Sequence, residues 1–266
     1  MNILKTAALL TFVSLGLKPR AAHAQEWTRQ SFLLPKGGFE VTGTPARPEL
    51  VRFNTSRHLA FKPVEIPVHL FWGVTDDVMI GITHEQGLRL NAGDLGPNDR
   101  KVYNDVGFGS VIYLAGGRNY EVDLHAGVPF HRLNPDLLVG LQVGVLGRAN
   151  IAQRVALVYD PSVYIGINRR QIDNGDYLSA PIWFYFQPTP VVAPFVGTGI
   201  AGPLDGFGDR VSVPLEGGIL FTVAHGIHLG GMLRFPNALG RRAARPGAAP
   251  DAFDWSELGF LGQFRF

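Results

Sequence analysis

Tyr120-Glu121-Val122-Asp123-Leu124-His125-Ala126-Gly127-Val128 alternates from end to end: Tyr120, Val122, Leu124, Ala126 and Val128 hold one set of positions, and Glu121, Asp123, His125 and Gly127 the other. Successive side chains of a β-strand point to opposite faces, so a period of two makes a strand with one apolar and one ionisable face. Such a strand suits a sheet with a dry core or a sheet rolled up in lipid. How often the pattern recurs, and what joins its copies, decides between them.

The pattern recurs along most of the chain. Val64, Ile66, Val68, Leu70, Trp72 and Val74 share a face opposite Glu65, His69 and Gly73; Thr75-Asp76-Asp77 turns, and Val78, Ile80 and Ile82 resume. Further strands are expected at 106–114, 137–145, 155–167 with Pro161 interrupting, 178–186, 211–221, 227–235 and 254–266. Two are weaker: 34–43 at the start, and 191–201, where neither face is distinct. With 120–128 this makes twelve. Long connections at 44–60, 85–104, 130–136, 169–176, 202–210 and 236–253 alternate with short turns. Outer-membrane barrels have an even strand count, short turns at one rim and long loops at the other. The expected fold is therefore all-β, a twelve-stranded antiparallel transmembrane β-barrel, with ten or fourteen strands as the neighbouring alternatives. Both termini fall on the short-turn side. No window after residue 25 is apolar for long enough to cross a bilayer as a helix.

The first residues point to export. Met1 to Lys5 is a short basic start, Thr6 to Leu17 an uncharged apolar run, and Ala22-His23-Ala24 a small-x-small cleavage pattern. The apolar run is about 12 residues, short of the roughly 20 that a spanning helix needs. The domain reading is a cleaved signal peptide at 1–24 and a single barrel at 25–266. The chain has no cysteine, so an exported fold must be held by something other than disulfides. A formal net charge of +2 makes no case for nucleic acid.

The C-terminus carries a resemblance. Leu258, Phe260, Gly262, Phe264 and Phe266 occupy alternate positions, and Phe266 is the last residue. This resembles the final strand of bacterial outer-membrane β-barrel proteins, although Gly262 departs from a fully apolar face. The resemblance implies outer-membrane localisation and an assembly signal at Phe260, Phe264 and Phe266 that is read by the barrel-assembly machinery. Outer-membrane lipid and lipopolysaccharide are the implied surroundings. Trp72, Tyr120, Phe184, Phe186, Phe221, Phe264 and Phe266 lie near short turns or the C-terminus, as an aromatic girdle would.

With the apolar face in lipid, the other face lines the lumen. That set includes Glu65, His69, Glu121, Asp123, His125, Glu216, His228, Arg234, Glu257, Gln263 and Arg265. A charge on the lipid side near the midplane would cost roughly 2–4 kcal/mol, which gives the assignment energetic content. Pro63, Pro67, Pro181 and Pro214 also fall on this face, and each removes a ladder donor. Carboxylates outnumber arginines, so an open lumen is expected to act as a passive, cation-leaning pore for small polar solutes. The alternative is a closed structural or surface-binding barrel filled by internal ion pairs, the more economical use of buried charge.

Glu121, Asp123 and His125 stand about 7 Å apart at alternate positions and combine acid–base and metal-ligand types. They lack an evident serine partner, so a barrel enzyme acting on lipids is the least expected reading, and no catalytic residue, metal or cofactor is assigned. Asn91, Asp94, Asn98 and Asp99 offer oxygen ligands without a known calcium-loop spacing. Arg241, Arg242 and Arg245 are placed to approach anionic lipopolysaccharide or to form a solvated loop tip. The oligomeric state is not legible.

Overall fold

The computed structural model describes residues 27–55, 63–90, 102–134, 136–171, 174–240 and 256–266. The expected signal peptide lies outside them, as do Asn91, Asp94, Asn98, Asp99, Arg241, Arg242 and Arg245. The described chain forms one closed antiparallel barrel of twelve strands, several in two pieces. In chain order β1 is Phe39–Thr42 with Glu49–Asn54, β2 is Val64–Ile66 with His69–Thr75, and β3 is Val78–Thr83 with Leu88–Leu90. Then follow β4 (Val106–Gly117), β5 (Tyr120–Arg132) and β6 (Leu138–Ala152). Next are β7 (Val155–Tyr159 with Ser162–Gly166), β8 (Tyr177–Phe186), β9 (Val192–Pro203), β10 (Ser212–Ala224), β11 (Ile227–Gly240) and β12 (Glu257–Arg265).

Each strand pairs with its neighbour in sequence, and β12 returns to β1 with Arg265 opposite Glu40. Closure leaves no open edge, which is what a sheet in hydrocarbon requires. The two-piece strands count once because their pieces share a neighbour. Ser162 faces Ser179 in the same register that sets Val155 against Phe186, so Pro161 interrupts β7 without shifting it.

Several boundaries differ from expectation. Residues 34–38 precede β1, and its second piece, Glu49–Asn54, comes out of the expected loop 44–60. The sheet hides this because residues 43–48 leave it and the pairing with β12 shifts register between Phe260 and Leu261. The long-loop ends of β5 and β11 and the short-turn end of β6 run further than the alternation alone showed. Of the four prolines, Pro63 lies outside β2, Pro67 sits at its interruption, and Pro214 falls at a register shift between Val213 and Leu215. Only Pro181 stays in the ladder, opposite Gly199.

The expected apolar face is on the outside. Trp72, Ile80, Phe108, Tyr120, Phe184, Phe186, Phe221, Leu233, Phe260 and Phe266 are all exposed, as a wall facing acyl chains must be. Phe264, on the same face, is half-buried.

The inside departs from the expected polar lining. In the half near the short turns, Phe71, Met79, Val111, Leu146, Trp183, Phe195, Leu220, Met232 and Leu261 point inward as a packed cluster. It is completed by Trp27, Phe32, Leu33 and Leu34 from the segment ahead of β1. Fully burying one such side chain stabilises by roughly 1.5–3 kcal/mol. The barrel thus has a dry core at one end.

Candidate functional site

Three structures occupy the lumen in sequence from the short-turn rim: a docked N-terminal segment, an inward loop with an ionic network, and an open cavity. The segment starts with a 3-10 turn at Trp27–Arg29. Thr28 donates from both its backbone nitrogen and its Oγ1 to Gln187 Oε1, each at 3.0 Å. Glu121 Oε1 accepts from Ser31 Oγ at 2.5 Å and from the Phe32 backbone nitrogen at 3.0 Å, and its Oε2 accepts from Arg148 at 2.7 Å. Arg148 also donates to the Gln30 carbonyl and lies over the Phe32 ring, 5.1 Å from its centroid. Arg265 donates to the Ser31 and Phe32 carbonyls and pairs with Glu40. The Trp27 ring centroid lies 5.9 Å from Tyr185 and 5.2 Å from His228, and His228 meets the Gln30 side chain.

These partners come from strand ends or turns around the short-turn rim, so residues 27–34 are bound on several sides. The segment leaves along β2. Gly37 and Gly38 exchange backbone hydrogen bonds with Gly73, where a Cβ would stand 2.2 Å from the Pro35 carbonyl oxygen. Only glycine permits that approach.

The inward loop, residues 43–48, interrupts β1. Thr44 and Arg47 exchange backbone hydrogen bonds at 3.1 Å, and the carbonyl of the buried Ala46 accepts from Tyr185 Oη at 3.1 Å. Tyr185 belongs to β8, so the loop reaches across the lumen. At its neck a Cβ on Gly43 would lie 2.3 Å from the Glu49 backbone, which again requires glycine.

From this loop Arg47 enters an ion-pair network running along β10, β11, β12, β1, β2 and β3. Arg47 lies 2.8 Å from Glu216 and 3.2 Å from Glu49; Arg52 lies 3.0 Å from Glu49 and 3.2 Å from Glu65. Arg89 lies 3.4 Å from Glu65, and Arg234 lies 3.5 Å from both Glu216 and Glu257. Trp183 Nε1 also donates to Glu216.

Opposite the network, the wall is built of small residues. Gly107, Gly109, Gly127, Ser162 and Ser179 leave a cavity of about 660 Å³. It extends from the inward loop to Glu85, His131 and Asn174 at the long-loop end. This is within the range of small-molecule sites, roughly 300–1,000 Å³. The acids of this wall are already engaged. Asp105 accepts the backbone N–H groups of Glu85, Gln86 and Gly87 at 2.6, 3.1 and 2.8 Å. Asp160 lies 2.8 Å from His125, and Glu85 lies 2.6 Å from His131.

The residues named from sequence are therefore distributed among different structures. Glu65, Glu216, Arg234 and Glu257 belong to the network, while Glu121, His228 and Arg265 bind or flank the N-terminal segment. His69 contacts the His84 carbonyl at 2.8 Å beside the cavity. Gln263 donates to Glu40 at 2.9 Å. Asp123 is fully buried, and neither of its oxygens has a hydrogen-bond partner among the described residues. Glu121, Asp123 and His125 do not converge: Glu121 holds Ser31 and Arg148, while His125 turns to Asp160. Sequence reading missed Arg47, Arg52, Arg89 and Arg148. Arg52 and Asn54 alternating with Val51 and Phe53 was the available signal for the second piece of β1. Nothing local marked Arg47 as inward.

No family model matches the chain, and no curated protein matches it in sequence. Solved structures do match. A structure described as NanC porin aligns with a TM-score of 0.53 at 7% identity, covering 86% of this chain and 98% of that one. The outer membrane channel DcaP of Acinetobacter baumannii gives a TM-score of 0.39 at 10% identity, covering 86% and 72%. Ail, the attachment invasion locus protein of Yersinia pestis, gives 0.22 at 8%, covering 87% and 99%. The first likeness shows the fold, that of the bacterial outer-membrane β-barrels.

Proposed function

We propose that this protein is an outer-membrane channel for small polar solutes, and that the described conformation is its shut state. One observation carries the reading. The cavity on the long-loop side ends at residues 43–48, and residues 27–34 fill the short-turn mouth beyond them; both are peptide segments laid inside the barrel and not part of its wall. Docked segments can leave while the closed sheet stays intact. The porin likeness supports the same class of function, and the apolar exterior supports residence in lipid. On this reading the signal peptide is removed, and lipopolysaccharide adjoins the long-loop rim. The barrel-assembly machinery recognises the strand that ends in Phe260, Phe264 and Phe266.

Selectivity depends on which charges meet the solute. Among the network residues carried on strands, Glu49, Glu65, Glu216 and Glu257 outnumber Arg52, Arg89 and Arg234, which leans towards cations. Arg47 from the inward loop opposes that preference. The separated partners of Glu121, Asp123 and His125 give no support to catalysis.

Conductance in planar bilayers tests the proposal. The mature chain is expected to be mostly silent, and a variant lacking residues 27–34 to show discrete conducting steps. Retained heat-modifiable gel migration would certify the deleted barrel as folded. A folded barrel that stays silent after the deletion would leave a closed structural protein.

A further inference from the structure

Among the described residues the ionic network is neutral by count, four arginines against four glutamates, yet it is not neutral where it meets the cavity. Of its members Arg47, Arg52, Arg234 and Glu49 line the cavity, with side chains 13%, 19%, 23% and 3% exposed, whereas Arg89, Glu65, Glu216 and Glu257, at 9%, 12%, 4% and 10%, do not line it. At the cavity surface three guanidinium groups stand against one deeply buried carboxylate, that of Glu49. Arg234 is the least occupied of the three. Its ion contacts to described residues are both 3.5 Å, longer than the usual N–H···O bond of about 2.9–3.0 Å. They run through Nε and Nη1 and not through Nη2. Across the cavity the described acids are held by loop amides or lie against histidines, so among the described residues no bare carboxylate row balances this face.

We propose that Arg47, Arg52 and Arg234 form a carboxylate-binding shelf, and that the solute taken into the cavity is a small organic acid. Guanidinium groups match carboxylates through paired, charge-assisted hydrogen bonds. The remaining lining supplies what an organic body needs: the rings of Phe71, Tyr164 and Trp183, and the flat backbone at Gly109 and Gly127. The cavity holds far more than an inorganic anion would fill. This inference deepens the channel reading by naming its solute class, but binding at the shelf does not itself require passage.

Calorimetric titration of the folded, full-length mature protein in detergent tests it, with three four-carbon probes of similar length: succinate, neutral succinamide and cationic 1,4-diaminobutane. Succinate is expected to bind at least about tenfold more tightly than either of the others, the scale of one hydrogen bond to a charged group. Arg234→Gln is expected to weaken succinate by about tenfold or more. Arg234→Lys retains the charge but loses the fork, and is expected to fall between. It carries the test if the glutamine variant does not fold. Equal binding of succinate and succinamide, a preference for the diamine, no succinate binding, or indifference to both substitutions would each overturn the shelf. The two readings fail separately. Succinate binding together with a silent barrel after deletion of 27–34 removes the channel and keeps the shelf. Conductance without succinate binding does the reverse.

Discussion

The two halves of the lumen are built by the same twelve strands in the same alternation, yet one is a packed core and the other an open cavity. Near the short turns the inward positions carry Trp183, Tyr185, Phe195, Leu220 and Met232, and a docked peptide takes up what space remains. Toward the long loops the same strands present Ser179, Pro181 and Ala201, and their neighbours present Gly107, Gly109 and Gly127. The register is common to both halves. Side-chain volume decides whether a given level of the barrel is solid or hollow, and charge decides what meets a solute in the hollow part.

Matched substitutions in the two halves sharpen this contrast. The largest difference is expected from the carboxylates. Glu121→Ala removes the acceptor for Ser31, Phe32 and Arg148 and leaves a buried guanidinium without its counter-charge, a loss of about 3–5 kcal/mol. Asp160→Ala removes a partly exposed partner of His125 and should cost no more than about 1 kcal/mol. Urea unfolding of the refolded barrel in detergent measures both. Equal losses would mean that the two halves are equally packed.

A smaller difference is expected from glycines. Gly73→Ala puts a methyl group against the Pro35 carbonyl and must displace the docked segment, at about 1–3 kcal/mol. At Gly109 the same methyl would meet only ordinary contacts, the nearest 3.5 Å away on Thr83, so Gly109→Ala should stay within about 0.5 kcal/mol. Protease cleavage near Pro35 gives a second readout. It should rise for Gly73→Ala alone, and a rise in both variants would show that the segment is loosely held everywhere.

The barrel was largely legible because the exterior repeats one rule. Tyr120 to Val128, Val64 to Val74 and Leu258 to Phe266 each keep apolar residues at every second position on the lipid side. The loop rhythm then sets the strand count. The closed half was harder to read because an apolar interior erases the contrast on which alternation depends. On β9, Phe195 faces in and Val196 faces out, and both are apolar, which is why 191–201 shows no clean register in sequence. Trp183 and Tyr185, opposite Ile182, Phe184 and Phe186, carry the same message on β8: a strand apolar on both faces marks a barrel filled at that level. The candidate site was legible only in part. Glu216, Arg234 and Glu257 follow from strand periodicity, whereas Arg47 reaches the lumen by a six-residue excursion whose direction depends on tertiary contacts with Tyr185 and Glu216. The docking of residues 27–34 likewise rests on partners from β5, β6, β11 and β12, and no local pattern announces it.

The barrier at the short-turn mouth can be tested in a single protein, because the chain has no cysteine of its own. Thr28→Cys with Gln187→Cys replaces a hydrogen-bonded pair by a disulfide and locks the segment in place. Planar-bilayer recording should show the oxidised protein silent and the same molecules opening in discrete steps after reduction, more often than the unsubstituted chain, because the reduced cysteines lack the hydrogen bonds between Thr28 and Gln187. Identical current in the two states, whether absent or full, would contradict the account.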